Sequence, residues 1–143
     1  MSLEENKALV RRWVELWNSQ DVAAVDALVS PNYVRHDPNV PDVHGAEAEK
    51  QFATMVLTAL PDLHFTIEDL IAEGDMVAGR YTAQGTQHGE WLGIPPTHNA
   101  ITLTVIEIYR IADRKIAEQW VILDALGMLQ QLDVIPLQGQ AAS

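Results

Sequence analysis

Five histidines, His36, His44, His64, His88 and His98, are the side chains here that change charge near neutral pH without help from their surroundings. A metal centre would need several at close spacing, and no His-x-His or His-x-x-x-His pair occurs, so none is expected. His36 precedes Asp37 and could be an oriented base, although at a strand end it more readily bonds to the loop that follows. Cysteine is absent, which removes thiolate nucleophiles, sulfur ligands and disulfides. Ser2, Ser19, Ser30 and Ser143 lie at termini or helix boundaries, where capping accounts for them, and none sits in a nucleophile elbow. Gly74, Gly85, Gly89 and Gly93 do not form a phosphate-cradling loop. None of these residue types by itself fixes a reaction.

Composition narrows the field further. A chain of 143 residues with 48% hydrophobic content can bury one good core, expected over residues 1–136, with a loose small and polar tail at 137–143. The formal charge of −11 comes from 20 acids against 9 scattered Lys and Arg, so the clustered basic footprint of a nucleic-acid binder is missing. No apolar run approaches the ~18 residues of a membrane span, and the first seven residues are charged where an export signal would be apolar. The expectation is a soluble cytoplasmic protein with no membrane partner and no cofactor.

The elements follow from periodicity. Leu9, Val10, Trp13, Val14 and Trp17 recur at helical spacing, and Trp13 and Trp17 share one face, as core residues or as the wall of an apolar pocket. A second helix is expected from Val22 to Val29, ended by Ser30-Pro31. A short strand from Asn32 puts Tyr33, Arg35 and Asp37 on one side and Val34 and His36 on the other, before a Pro-rich loop from Asn39 to Gly45. A third helix buries Ala48, Phe52, Met55, Val56, Ala59 and Leu60 and stops at Pro61. Four extended segments then run Leu63 to Glu73, Met76 to Trp91, Ile101 to Ala112 and Lys115 to Asp124. Gly79, Gly85 and Gly89 point to a bulged, bent second segment, and Gly127 to Leu132 to one more helical turn.

Short connections make the sheet mainly antiparallel, and helices followed by strands imply an α+β domain with a curved sheet wrapped around three helices. On the closing strand, Ala117, Gln119, Val121 and Leu123 share one face, and Ile116, Trp120 and Ile122 the other. Three helices cannot cover both sheet faces. Ile106, Ile108, Trp120 and Ile122 therefore make an apolar outer patch that predicts a two-fold homodimer.

The strand from Pro31 to Pro38, the loop Gly93-Ile94-Pro95-Pro96-Thr97, the run from Tyr109 to Ile116, Trp120 and the Leu129-Gln130-Gln131-Leu132 ending together resemble the SnoaL-like polyketide cyclase family, of nuclear transport factor 2-like fold. The resemblance spans roughly Glu4 to Pro136. It implies a cone whose sheet and helices enclose a deep, mostly apolar pocket, and a convex face that often pairs two protomers. In the well-studied cyclases it implies a metal-free aldol closure using an aspartate on the closing strand. A histidine on the preceding strand, an asparagine on the first strand and an aromatic residue on the first helix complete that pocket. Carried onto this chain, the aromatic residue is Trp17, the asparagine is Arg35, the histidine is Glu107 and the aspartate is Val121. Asp124 lies on the opposite face by alternation. Valine cannot accept a proton, so aldol cyclisation of an aromatic polyketide is not expected.

Arg35 and Glu107 are then the candidate chemical groups. If they pair, the guanidinium lowers the carboxyl pKa and the site is structural or anchors a polar ligand group. If they stand apart, desolvation raises Glu107 toward acid/base work. Gln87, Tyr109 and Gln119 would supply orienting polar groups, and Trp13, Trp17, Tyr33, Phe52, Tyr81, Val121 and Leu123 the rest of the pocket. Two functions follow: an enzyme of the cyclase, isomerase or hydrolase kind acting on a hydrophobic carbonyl or epoxide ligand, with Glu107 as acid/base and Arg35 as stabiliser, or a non-catalytic binder with the same pocket. A third possibility, an interaction domain with a filled core, predicts no cavity.

Overall fold

Ser2 starts the chain's first element. In the computed structural model, which describes residues 1–136, its side chain accepts from the Glu5 amide while Glu5 accepts from the Ser2 amide, each at 3.0 Å. Helix α1, Leu3–Ser19, buries Leu9, Val10, Trp13, Val14, Leu16 and Trp17 and ends at Gln20 in the left-handed region. The helix expected from Val22 to Val29 is split into a 3₁₀ turn, Val22–Ala24, and a single turn α2, Val25–Leu28. Strand β1, Val29–Asp37, begins before Pro31. Proline has no amide to donate, and the β1 pairing register shifts between Val29 and Val34 around it.

The Pro-rich loop expected after β1 contains strand β2, Val40–His44, paired with β1. It is an edge strand, the position that tolerates Pro41. Helix α3, Gly45–Ala59, turns Glu49, Ala53, Val56 and Leu57 inward, and Met55, expected in its buried stripe, is exposed. The expected extended segments become β3, His64–Glu73, β4, Met76–Thr86, β5, Ala100–Ala112, and β6, Lys115–Leu123, followed by α4, Ala125–Gln131. The tail expected at 137–143 lies outside the described residues.

The six strands form one sheet in the order β2-β1-β6-β5-β4-β3, antiparallel except for β1 against β6. The second segment stops at Thr86 and keeps unbroken register with β5, so its glycines do not mark a bulge in β4. They allow close approach instead. A Cβ at Gly79 would strike the Tyr81 hydroxyl, and one at Gly89 would lie 3.0 Å from the Thr58 carbonyl oxygen. Besides the shift around Pro31, the register slips between Arg35 and Asp37 in β1, between Ile67 and Asp69 in β3 and opposite Arg110 and Ile111 in β6, where one extra residue puts both Ile116 and Ala117 in the core. Ile116 therefore does not share the outer face of Trp120 and Ile122. Helices and the inner sheet face share one hydrophobic cluster. On the outer face Ile106, Ile108 and Ile122 are exposed by 47, 39 and 57%.

Candidate active site

Alternation along β1 aims Tyr33, Arg35 and Asp37 into the cone, all three buried. The guanidinium of Arg35 meets two acids. Its Nη1 donates to Glu49 Oε1 on α3 at 3.1 Å, and its Nη2 lies 4.0 Å from Glu107 Oε1 on β5, beyond hydrogen-bond reach. The guanidinium also sits 4.7 Å from the Phe52 ring centroid and 5.8 Å from that of Trp17. Arg35 and Glu107 thus neither form a close pair nor stand wholly apart, because a third residue, Glu49, takes the direct bond.

Glu107 is supported from its own sheet. Tyr109, two residues along β5, donates to Glu107 Oε2, and the Tyr81 hydroxyl lies 2.7 Å from that of Tyr109. With the Tyr109 proton committed to the carboxyl, Tyr81 donates to Tyr109, giving a chain of hydroxyls that ends on Glu107. Gly79 stands opposite Glu107 in the ladder and leaves the room that the Tyr81 hydroxyl needs. On the other side of Glu107, Val121 is its partner on β6. Tyr33 donates to Gln119 Oε1 at 2.7 Å and fixes that buried amide.

Burial pushes the carboxyl of Glu107 above its ordinary value despite Arg35 and Tyr109, and it does the same to Glu49. Burial alone would disfavour the Arg35 cation, but Glu49 foremost, then Tyr33 and Glu107, keep it charged. Burial also pushes Tyr33, Tyr81 and Tyr109 upward, so all three remain neutral hydrogen-bonding groups at physiological pH.

Arg35 and Glu107 border a cavity of about 80 Å³, so the interior is not filled. Its walls include Trp17, Phe52, Leu103, Val121, Leu123 and Met128, with Arg35, Asp37 and Glu107 as the charged residues. A smaller space of about 20 Å³ adjoins it, between Trp13, Trp17, Tyr81, Arg35 and Glu107. Pockets for drug-sized ligands run to roughly 300 Å³ or more, so this cavity is small by that measure. Tyr33, Tyr109 and Gln119 do not line either space and stand behind Arg35 and Glu107 as a buried polar layer. Gln87 is placed elsewhere. Its amide donates to the carbonyls of Ile94 and Pro95 and accepts from Thr97, so it clasps the loop after β4 and has no free group for a ligand.

Glu49 and Asp37 are the site acids that sequence reading did not assign. Glu49 had a visible signal, since an acid at the spacing of Ala53 and Val56 lies on an apolar helical stripe. His36 points outward, between Asp42 and Glu118, and does not line the cavity. Among the described residues no group of three or more His, Cys, Asp or Glu side chains is placed to hold a metal.

No curated protein matches the sequence. Among solved structures, the chain is similar to TsrD from Streptomyces laurentii, at 28% identity and TM-score 0.85 over 94% of this chain and 99% of that one. AclR from Streptomyces galilaeus, described as a candidate hydroxylase, gives 30% identity and TM-score 0.83 over 94% and 100%. IdmH from Streptomyces antibioticus, described as a candidate polyketide cyclase, gives 29% identity and TM-score 0.77 over 90% and 98%. These likenesses agree with the cone-shaped, nuclear transport factor 2-like architecture traced above. The family model for SnoaL-like polyketide cyclases matches residues 7–132, nearly all of the described chain, and the protein belongs to that family.

Proposed function

We propose that the protein is an acid/base enzyme of the cyclase, isomerase or hydrolase kind, acting without a cofactor on a hydrophobic ligand that carries a carbonyl or epoxide oxygen. One observation carries the reading: Glu107 faces an apolar cavity, its pKa raised by burial, with no cation in hydrogen-bond contact. Protonated, Glu107 donates to an oxygen on which negative charge develops. Ionised, it takes a proton from a carbon or a water beside it. Arg35, held against the cavity wall by Glu49 and two aromatic rings, stabilises the developing anion. Val121, where the resembled cyclases keep an aspartate, is the direct neighbour of Glu107 on β6. A carboxyl on β5 therefore reaches the space that a carboxyl on β6 would serve. The neighbours' descriptions span two reaction types, so they support the family-level reading and not one substrate.

The test is to screen hydrophobic carbonyl compounds and epoxides by thermal shift, since a ligand of the folded state raises the melting temperature. Turnover of the hits is then compared in the wild type and Glu107→Gln. Loss of about 10²-fold or more in turnover with binding retained supports the enzyme. Equal binding with no turnover in either protein supports a non-catalytic binder.

The same proposal includes a two-fold homodimer through Ile106, Ile108, Trp120 and Ile122. Exposed isoleucines on neighbouring strands, Ile106 opposite Ile122, form a continuous apolar surface that no helix covers. Sedimentation at micromolar concentration should give a dimer that Ile122→Asp dissociates, and a wild-type monomer would sink the dimer.

A further inference from the structure

Glu49 lines neither internal space, is fully buried, and is nevertheless the residue that holds Arg35. Glu107 borders both spaces and stands 4.0 Å from the guanidinium. One cation therefore serves two enclosed carboxyls, and the one that a ligand cannot reach has the shorter bond. We infer that Glu49 is a positioning residue for the proposed reaction: by taking Arg35 as its own counter-ion it withholds that charge from Glu107, and so leaves the cavity-facing carboxyl with a proton to exchange. This rests on the reading of Glu107 as the acid/base.

The charge balance around Glu107 can be taken element by element. From β1 come Arg35, the neutral Tyr33 and, toward the cavity rim, Asp37; from α3 comes Glu49; from β4 and β5 come Tyr81 and Tyr109. Arg35 is the sole cation in that set. Asp37 adds negative charge and disfavours ionisation of Glu107. Without Glu49 the guanidinium has no nearer acid than Glu107, and a turn of its side chain would close the remaining gap into a hydrogen-bonded pair. The site would then become the locked Arg-Glu pair that suits structure and not proton transfer. Glu49 on α3 thus ties a helix to the sheet and decides which carboxyl remains reactive.

The experiment uses the full chain labelled with carboxyl-¹³C glutamate and followed by NMR through a pH titration. The signal that disappears in Glu107→Gln is assigned to Glu107. In the wild type its midpoint should lie above the ordinary glutamate value of 4.5. In Glu49→Gln it should fall by about one unit or more, the usual effect of an opposite charge drawn into contact. A Glu107 midpoint below the ordinary value in the wild type would overturn the inference. So would a midpoint that is unchanged or higher in a folded Glu49→Gln. Should Glu49→Gln fail to fold, a wild-type midpoint at or below the ordinary value would still overturn the inference. The titration needs no substrate, so its outcome is separate from that of the turnover test. An expected midpoint shift without turnover in any variant would remove the reaction but not the charge arrangement, and turnover without the shift would remove the role of Glu49 alone.

Discussion

Arg35 and His36 are neighbours on β1, and each sits between two acids, yet the acids behave in opposite ways. Inside the cone, Arg35 lies between Glu49 and Glu107, both buried, and burial raises both carboxyls. Outside, His36 lies 3.1 Å from Asp42 and 2.6 Å from Glu118, with its ring stacked on Trp120 and Arg110 bound to Glu118 at 3.2 Å. There the His36 hydrogen bond holds Glu118 below its ordinary value, and Glu118 in turn raises His36. Similar groups at similar distances give raised carboxyls on one face of a strand and a lowered one on the other. Solvent makes the difference: water stabilises the outer charges, and its exclusion penalises the inner ones.

The largest effect should come from removing the inner cation. Arg35→Met leaves two enclosed carboxyls without a counter-ion and should cost roughly 3–5 kcal/mol of stability in urea unfolding. A cost below about 1 kcal/mol would mean that the two clusters are equivalent and that burial does not distinguish them. Next in size is Gly79→Ala. Its methyl group displaces the Tyr81 hydroxyl from Tyr109, and overpacking of this kind should cost about 1–3 kcal/mol. A second change, Tyr81→Phe, should not restore that loss, because the ring carbon Cζ would still meet the added methyl group at 2.5 Å.

The pH dependence follows from the sign of each shift. Glu107 binds its proton more tightly folded than unfolded, so its contribution is complete below the ordinary value of 4.5 and is lost as pH rises through the raised folded value. The melting temperature of Glu107→Gln, measured against the wild type, should therefore gain relative to it as pH increases through that window. An opposite slope would mean that Glu107 is ion-paired. The smallest effect belongs to the outer cluster. His36→Gln should cost less than about 1 kcal/mol, since its partners are solvated. His36 is raised above 6.5, so whatever it contributes is present below that pH and fades as pH rises through the higher folded value.

Much of the scaffold for this contrast is legible in the sequence. The side-chain period of β1 assigns Arg35 and His36 to opposite faces, and the spacing of Trp13 and Trp17 places them together on α1. The motifs that carry the family resemblance also locate Arg35, Glu107 and Val121 at the cavity. Other features depend on residues far apart in the chain. Glu49 is an acid on an apolar stripe, but its partner is known only once α3 packs over β1. Ile116 follows the outward parity of its strand until the bulge in β6 turns it inward. Gln87 has the chemistry of a ligand-orienting amide, and loop closure across Thr97 and Pro95 uses that chemistry up. The Pro41 segment reads as a loop and becomes an edge strand because β1 offers it a ladder.

By itself the sequence determined which faces its longer elements present, the helix-then-strand order and the family, because periodicity and local capping act over a few residues. Tertiary structure alone decided that Arg35 bonds to Glu49, that this bond leaves Glu107 4.0 Å from the guanidinium, and that Glu118 is neutralised outside the cone. Carboxyl reactivity is set by which charges and how much water lie within a few ångströms, and that neighbourhood exists only after the sheet has closed around the helices.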